Sequence, residues 1–260
     1  MNEHYRNINI LNGLNLEAPI YKFFPLKYIS TLLQGNLYVG KVAAWEDVYE
    51  NFLFKQNFSL VDGTPVKADN LIKCNFGQSW TLSDETDAMW RIYSDIHHGF
   101  ESDPLGNIAI RIKTTARKLF NAVYIDDKCM ASTYIVAVTY LSQIELNDWL
   151  SKLYLETSSN LARTMAKSLF MKRIEFLHEH EVRIIISYAQ DDSRVKEKGI
   201  TFAINPANFI DEYLIDTRLV NTVREKEVQK RLIGLGSDET KIQTSQLYHF
   251  NPYHKPLVIH

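Results

Sequence analysis

Glu179, Glu181 and Arg183 stand two residues apart in the stretch FLHEHEVRIIISY, residues 176–188. If residues 178–186 are extended, the two-residue period of a strand puts these three side chains on one face and His178, His180, Val182, Ile184 and Ile186 on the other. Two carboxylates beside a cation on one strand face make a candidate catalytic site. With Asp47, and near Lys172, the same carboxylates are also the type that holds a divalent metal for phosphodiester cleavage. The plain alternative is a solvated strand end on which Arg183 neutralises its neighbours. His178 and His180 have the spacing at which two strand imidazoles share a zinc ion, but no third ligand accompanies them. His97 and His98 are adjacent and diverge, and neither cysteine is near a histidine in sequence, so no metal is expected.

Two further stretches carry chemistry-bearing residues. In DETDAMWRIYSDIHHGF, residues 84–100, a helix puts Met89, Trp90 and Tyr93 on one face, either as core or as an aromatic wall for a planar ring. Earlier in the chain, Tyr21 and Lys22 belong to a first strand, and Trp45, Glu46 and Asp47 form an acidic, aromatic turn after a second. No glycine-rich phosphate loop, dinucleotide-binding fingerprint or G-x-S-x-G elbow occurs. That removes P-loop hydrolysis, Rossmann dehydrogenase and α/β-hydrolase chemistry.

The elements that must position these residues read as follows. PIYKFF is an opening strand, and PLKYISTLLQG a helix with Pro25 in its first turn and Gly35 as its stop. NLYVGKV is a strand, and VKADNLIKCNFGQSW has roughly strand period. Ser83 and Asp84 are placed to cap a helix over ETDAMWRIYSDI. NIAIRIK alternates, TTARKLFNAV reads as a helix, and STYIVAVTYLS as a buried strand. From QIELNDWL to FMKRIEF the pattern is helical. EVRIIISY and GITFAI are strands, and VNTVREKEVQKRLIGLG is a charged helix ended by Gly234 or Gly236. Helices inserted irregularly among strands point to an α+β fold: one domain over residues 1–260, with a central mixed, mostly antiparallel sheet and peripheral helices.

Composition narrows the classes further. A net charge of −2 gives no global basic field for non-specific nucleic-acid binding. Cys74 and Cys129 make no disulfide framework, and no apolar run suits an export signal or a membrane span, so a cytoplasmic protein is expected.

Taken together, the three stretches resemble the bacterial family known as domain of unknown function 2971, over about residues 20–235. The family's opening y-K-Y corresponds to Tyr21, Lys22 and Phe23. Its C-F-S corresponds to Cys74, Phe76 and Ser79, and its M-W-x-x-Y-x-D…G to Met89, Trp90, Tyr93, Asp95 and Gly99. Its late K…W-y-E-x-E-x-R corresponds to Lys172, Glu179, Glu181 and Arg183, with Phe176 in place of the tryptophan. Trp45-Glu46-Asp47 approximates its N-D-P-F-E. The order of elements is in turn similar to ADP-ribosyltransferase-like folds.

That resemblance implies an enzyme that consumes NAD as substrate, an ADP-ribosyltransferase or NAD glycohydrolase of the toxin or anti-phage effector kind. Glu181 or Glu179 would stabilise the oxocarbenium-like state as the nicotinamide–ribose bond breaks. Trp90 or Tyr93 would stack on nicotinamide, Tyr21 would stand beside the cofactor, and Lys22 or Arg183 would hold the pyrophosphate. The acceptor is a protein or nucleic acid, an antitoxin or defence-system partner is implied, and no membrane is involved. The fold analogy also predicts a cleft joining the first strand, the Trp90–Tyr93 segment and the Glu181 strand. The competing classes are a metal-dependent nuclease or phosphodiesterase and a non-catalytic sensor or binding module whose polar cluster is structural.

Overall fold

Threonine hydroxyls start three of the helices. Thr86, Thr115 and Thr222 each accept a hydrogen bond from the amide three residues on, at 3.2 Å, and so begin Asp87–Tyr93, Ala116–Val123 and Val223–Gly234. The cap expected at Ser83 or Asp84 therefore falls at Thr86. Ser83 is used by a turn after the preceding strand, where its amide donates to Thr81 Oγ1 at 3.0 Å. Gly35 stops the helix Leu26–Leu33 at φ 86°, a backbone conformation that favours glycine, and a Cβ there would lie 2.8 Å from Ile204 O.

This computed structural model describes residues 9–47, 49–59, 62–66, 69–99, 102–124, 131–156 and 161–251. Cys129, residues 67 and 68 of the expected strand, and residues 157–160 of the expected helical run lie outside them. The strands of the described residues are β1 Ile10–Leu11, β2 Pro19–Pro25, β3 Asn36–Lys41, β4 Phe58–Ser59, β5 Pro65–Val66, β6 Asn75–Thr81 and β7 Ala109–Thr115. They continue as β8 Ala131–Ala137, β9 Thr139–Leu141, β10 Met171–Arg173, β11 Glu181–Tyr188, β12 Gly199–Ala203, β13 Glu212–Ile215 and β14 Ile242–Thr244. The fold class is α+β with a mixed, mostly antiparallel central sheet, as the sequence indicates. Three local readings change. The run expected to be helical as far as FMKRIEF leaves helix at Ser168 and forms the strand β10 at Met171–Arg173, which pairs with β9. A short helix, Asp69–Ile72, precedes β6 where continuous strand period was expected, and the run STYIVAVTYLS divides into β8 and β9 at Val138.

The described residues gather in two compact units, one drawn from 1–22, 31–84 and 113–210 and the other from 23–30, 85–112 and 211–260. In the first, β11 runs antiparallel between β8 and β6, and β1 adds to β8 in parallel. β2 meets the end of β6 with Tyr21 opposite Thr81, and β3 pairs antiparallel with both β6 and β12. β9 and β10 make a parallel pair. Its core contains Phe52, Leu53, Phe54, Val136, Met165, Leu169 and Ile185. In the second unit β7, β13 and β14 are neighbours in that order, with β13 parallel to β14. Phe23, Met89, Trp90, Ala109 and Leu214 form its apolar cluster. No helix of the described residues is long and apolar enough to cross a membrane.

Candidate active site

β11 is flanked on both sides by strands, and Glu181 and Arg183 on it are only 3 % and 0 % exposed. This pair is therefore interior and not on a solvated strand end, and charges removed from water must be paired. Their spacing does this locally. Two residues apart on a strand they share a face, and Arg183 donates Nε to Glu181 Oε1 at 2.7 Å and Nη2 to Oε2 at 3.0 Å. Nη1 donates to Leu169 O at 2.7 Å and Nη2 also reaches Glu50 Oε1 at 2.5 Å.

Lys172 on β10 joins the cluster from another side. Its Nζ is 2.5 Å from Glu179 Oε2, 3.2 Å from Glu50 Oε1 and 3.3 Å from Glu181 Oε2. Burial by itself would push the Glu181 carboxyl up, but Arg183, Lys172 and a hydrogen bond with Ser79 hold it down to about 2. Burial also opposes the charge on Lys172, and its three carboxylate neighbours overcome this and raise its pKa. The Glu50 carboxyl is pushed up by burial despite both cations.

Glu179 reaches this cluster by a different route from the one its spacing suggests. Ile174–Glu179 is a 3-10 helix and His180 is left-handed at φ 41°, so β11 begins only at Glu181. The expectation that residues 178–186 form one strand face is corrected here. The end of β6 pins this reversal: Thr81 Oγ1 donates to Glu179 O at 2.6 Å, Leu82 N to His180 O at 2.9 Å, and Ser83 Oγ bonds His180 Nδ1 at 2.8 Å. His178 thus lies in the 3-10 helix and His180 at its left-handed end, and the two do not share a strand face. Among the described residues no group of three or more His, Cys, Asp or Glu is placed to hold a metal ion.

The adjoining strands supply further polar groups. Tyr21, Thr81 and Glu181 stand in one row across β2, β6 and β11. Lys22, half-buried beside Tyr21, donates to Ser79 O at 2.7 Å, and burial pushes its pKa down to about 8 against the pull of Glu181. Tyr140 Oη accepts from the Glu181 amide at 2.8 Å, and burial with the nearby carboxylates pushes its phenol up to about 12.

Aromatic rings line the cluster. The Arg183 guanidinium lies 4.6 Å from the centre of the Trp45 ring, and Arg173 lies 4.2 Å from that of Tyr49. Gly77 on β6 makes room for Trp45. A Cβ there would stand 2.7 Å from Trp45 Cζ2 and 2.8 Å from Ile185 Cδ1.

No family model matches the chain. No curated protein sequence matches it either, so neither comparison shows the resemblance to the family of unknown function. Solved structures of DarT from Thermus sp. 2.9 do match. The complex with NAD+ has a TM-score of 0.39 at 10% identity, over 91% of this chain and 99% of that one. The complex with ADP-ribosylated ssDNA has a TM-score of 0.39 at 10% identity, over 92% and 99%. The complex with carba-NAD+ has a TM-score of 0.37 at 11% identity, over 89% and 96%.

Of the residues singled out from the sequence, Tyr21, Lys22, Glu179, Glu181 and Arg183 all belong to the first unit and stand around this cluster. Trp90 and Tyr93 belong to the second. Trp90 is 1 % exposed, its ring edge-on to Phe23 at 4.8 Å and its Nε1 donating to Glu85 Oε2 at 2.9 Å. The ring is thus committed to the core. Tyr93 is 42 % exposed and stacks on Phe23 at 5.9 Å.

Glu50 and Tyr140 were not foreseen. The signal for Glu50 was available. Laid over Glu46-Asp47-Val48-Tyr49-Glu50 instead of starting at Trp45, the N-D-P-F-E pattern puts its Asp on Asp47, its aromatic on Tyr49 and its Glu on Glu50. Nothing local marks Tyr140.

Proposed function

We propose that this chain consumes NAD as an ADP-ribosyltransferase or NAD glycohydrolase, with Glu179 as the carboxylate that meets the substrate. The observation that carries this is the gradient of exposure within one cluster. The Glu181 side chain is 3% exposed, Glu50 12% and Glu179 21%. Glu181 has both oxygens occupied by Arg183 and Lys172, whereas Glu179 sits at the rim on a pinned turn.

In this reading the bond between ribose C1′ and the nicotinamide nitrogen breaks, and its electron pair leaves with nicotinamide. Positive charge develops at C1′ and the ring oxygen. Glu179 accepts a hydrogen bond from a ribose hydroxyl and offsets that charge. Water, or an oxygen or nitrogen nucleophile of a protein or nucleic-acid acceptor, then adds to C1′ and loses a proton. Glu181 and Arg183 act as the fixed base on which Lys172 and Glu179 are set. Lys22, charged below about pH 8, takes the pyrophosphate, and Tyr21 flanks it. The identity of the acceptor separates a toxin or phage-defence effector from a plain NAD hydrolase, and with it the need for an antitoxin.

The test is nicotinamide release and label transfer from NAD labelled in its adenosine half. Purified protein is used alone, with nucleic acid and with cell lysate, beside Glu179→Gln. A loss of release by about 100-fold or more in the variant, at unchanged melting temperature, supports the assignment. Equal rates in both proteins, or no release by folded wild type with any acceptor, sink it.

A further inference from the structure

Two hydrogen-bonding positions stay open beside Lys172 once the cluster has satisfied itself, the phenol hydrogen of Tyr140 and one oxygen of Glu179. We propose that they form one recognition element for a vicinal diol, in which Tyr140 donates its O–H to one ribose hydroxyl of NAD while Glu179 accepts from the next. This deepens the NAD reading above and rests on it.

The backbone fixes Tyr140. β8 ends at Ala137, opposite Val182, and Val138 N donates to Glu181 O at 2.9 Å. The Glu181 amide has no such strand partner and donates to Tyr140 Oη at 2.8 Å, so the phenol stands in for a ladder carbonyl. A phenol oxygen that accepts from a buried amide turns its own hydrogen elsewhere. Among the described residues nothing accepts that hydrogen. Burial, with the carboxylates of Glu181 and Glu179, pushes the phenol up to about 12, so it keeps its proton and serves as a donor.

Glu179 offers the complement. Its Oε2 takes Lys172 Nζ at 2.5 Å, Oε1 meets no donor among the described residues, and the side chain is 21% exposed. Lys172 joins the two positions, because it is the register partner of Tyr140 across β9 and β10 and the ion-pair partner of Glu179. A neutral donor and an anionic acceptor flanking one ammonium suit adjacent hydroxyls, one receiving a hydrogen bond and the other giving one.

The test uses NAD and two analogues, each lacking one hydroxyl of the nicotinamide ribose, with wild type, Tyr140→Phe and Glu179→Gln. Tyr140→Phe is expected to lower kcat/KM for nicotinamide release from NAD about 10-fold or more. Each deletion should cost wild type at least as much. One deletion should cost Tyr140→Phe less than about twofold, and the other should cost Glu179→Gln as little, since a hydroxyl whose partner is gone has no contact left to break. Tyr140→Phe also takes the acceptor from the Glu181 amide and lowers the melting temperature. If that is its whole effect, both deletions stay as costly as in wild type, which overturns the proposal. A wild-type kcat/KM in Tyr140→Phe overturns it too. A crystal structure of wild type with ADP-ribose reads the claim without any variant: Tyr140 Oη is expected within about 3.2 Å of one ribose hydroxyl and Glu179 Oε1 within the same reach of its neighbour. A ribose that touches neither overturns the proposal. Wild type that releases no nicotinamide overturns the NAD reading and this proposal with it, whereas an active wild type without the paired pattern overturns the proposal alone.

Discussion

Arg183 grips Glu181 side-on from two residues along the same strand, through Nε to Oε1 at 2.7 Å and Nη2 to Oε2 at 3.0 Å. The fork of a guanidinium fits a carboxylate in this way and an ammonium does not. Because both groups are buried, the pair sets the position of the whole cluster.

Arg183→Lys is therefore not conservative. It keeps the charge but loses the fork, the bond to Leu169 O and the packing on Trp45, and is expected to destabilise the fold by about 3 kcal/mol. The midpoint of urea unfolding measures this. A midpoint equal to wild type would show that the pair contributes nothing beyond its charge.

Acid stability follows from Glu181. Its carboxyl is lowered from 4.5 to about 2 in the folded state, so the unfolded chain binds more protons between those values. The stabilisation is complete above about pH 4.5 and is lost as pH falls towards 2, an effect of about 3 kcal/mol. Glu181→Gln should flatten the acid limb of stability against pH. It also leaves Arg183 short of one counter-charge, which lowers stability at neutral pH.

Lys22 gives two effects of opposite sign. With its pKa lowered from 10.5 to about 8, the folded state binds fewer protons than the unfolded one in that window, so stability rises with pH across it. In the proposed function, where Lys22 holds the pyrophosphate, binding of NAD is expected to weaken as pH rises through about 8, because the ammonium is lost. Lys22→Met should abolish both trends. Denaturation curves report the first and calorimetric titration with NAD the second.

Gly77→Ala tests the seat of Trp45. The added methyl meets Trp45 Cζ2 at 2.7 Å and Ile185 Cδ1 at 2.8 Å. Overpacking of this kind costs about 1–3 kcal/mol and should lift Trp45 from Arg183. A melting temperature equal to wild type would mean that the ring moves aside freely.

Much of the fold was legible because its signals are local. Alternation marks β7 and the apolar run marks β11, while Gly35 and Thr115 end and begin helices at the places their backbone chemistry allows. The reading failed where a competing local interaction won. His180 adopts a left-handed conformation and is bonded to Ser83, so a charged sequence with strand period folds as a turn. The Ser83 amide in turn is taken by Thr81, and the helix cap moves on to Thr86.

The sequence by itself determined that Glu181 and Arg183 would face each other, because i and i+2 on a strand share a side whatever surrounds them. It also determined the α+β class, through the residues that open and close each element. Only the tertiary structure decided that this pair is interior, that Glu179 comes to it over a turn, and that Glu50 completes it. Glu50 and Arg183 are 133 residues apart, and the pairing of β11 between β6 and β8 creates the low-dielectric site in which their charges must be met. Local periodicity cannot carry that information, since it states which face a side chain takes and not what the fold brings to that face.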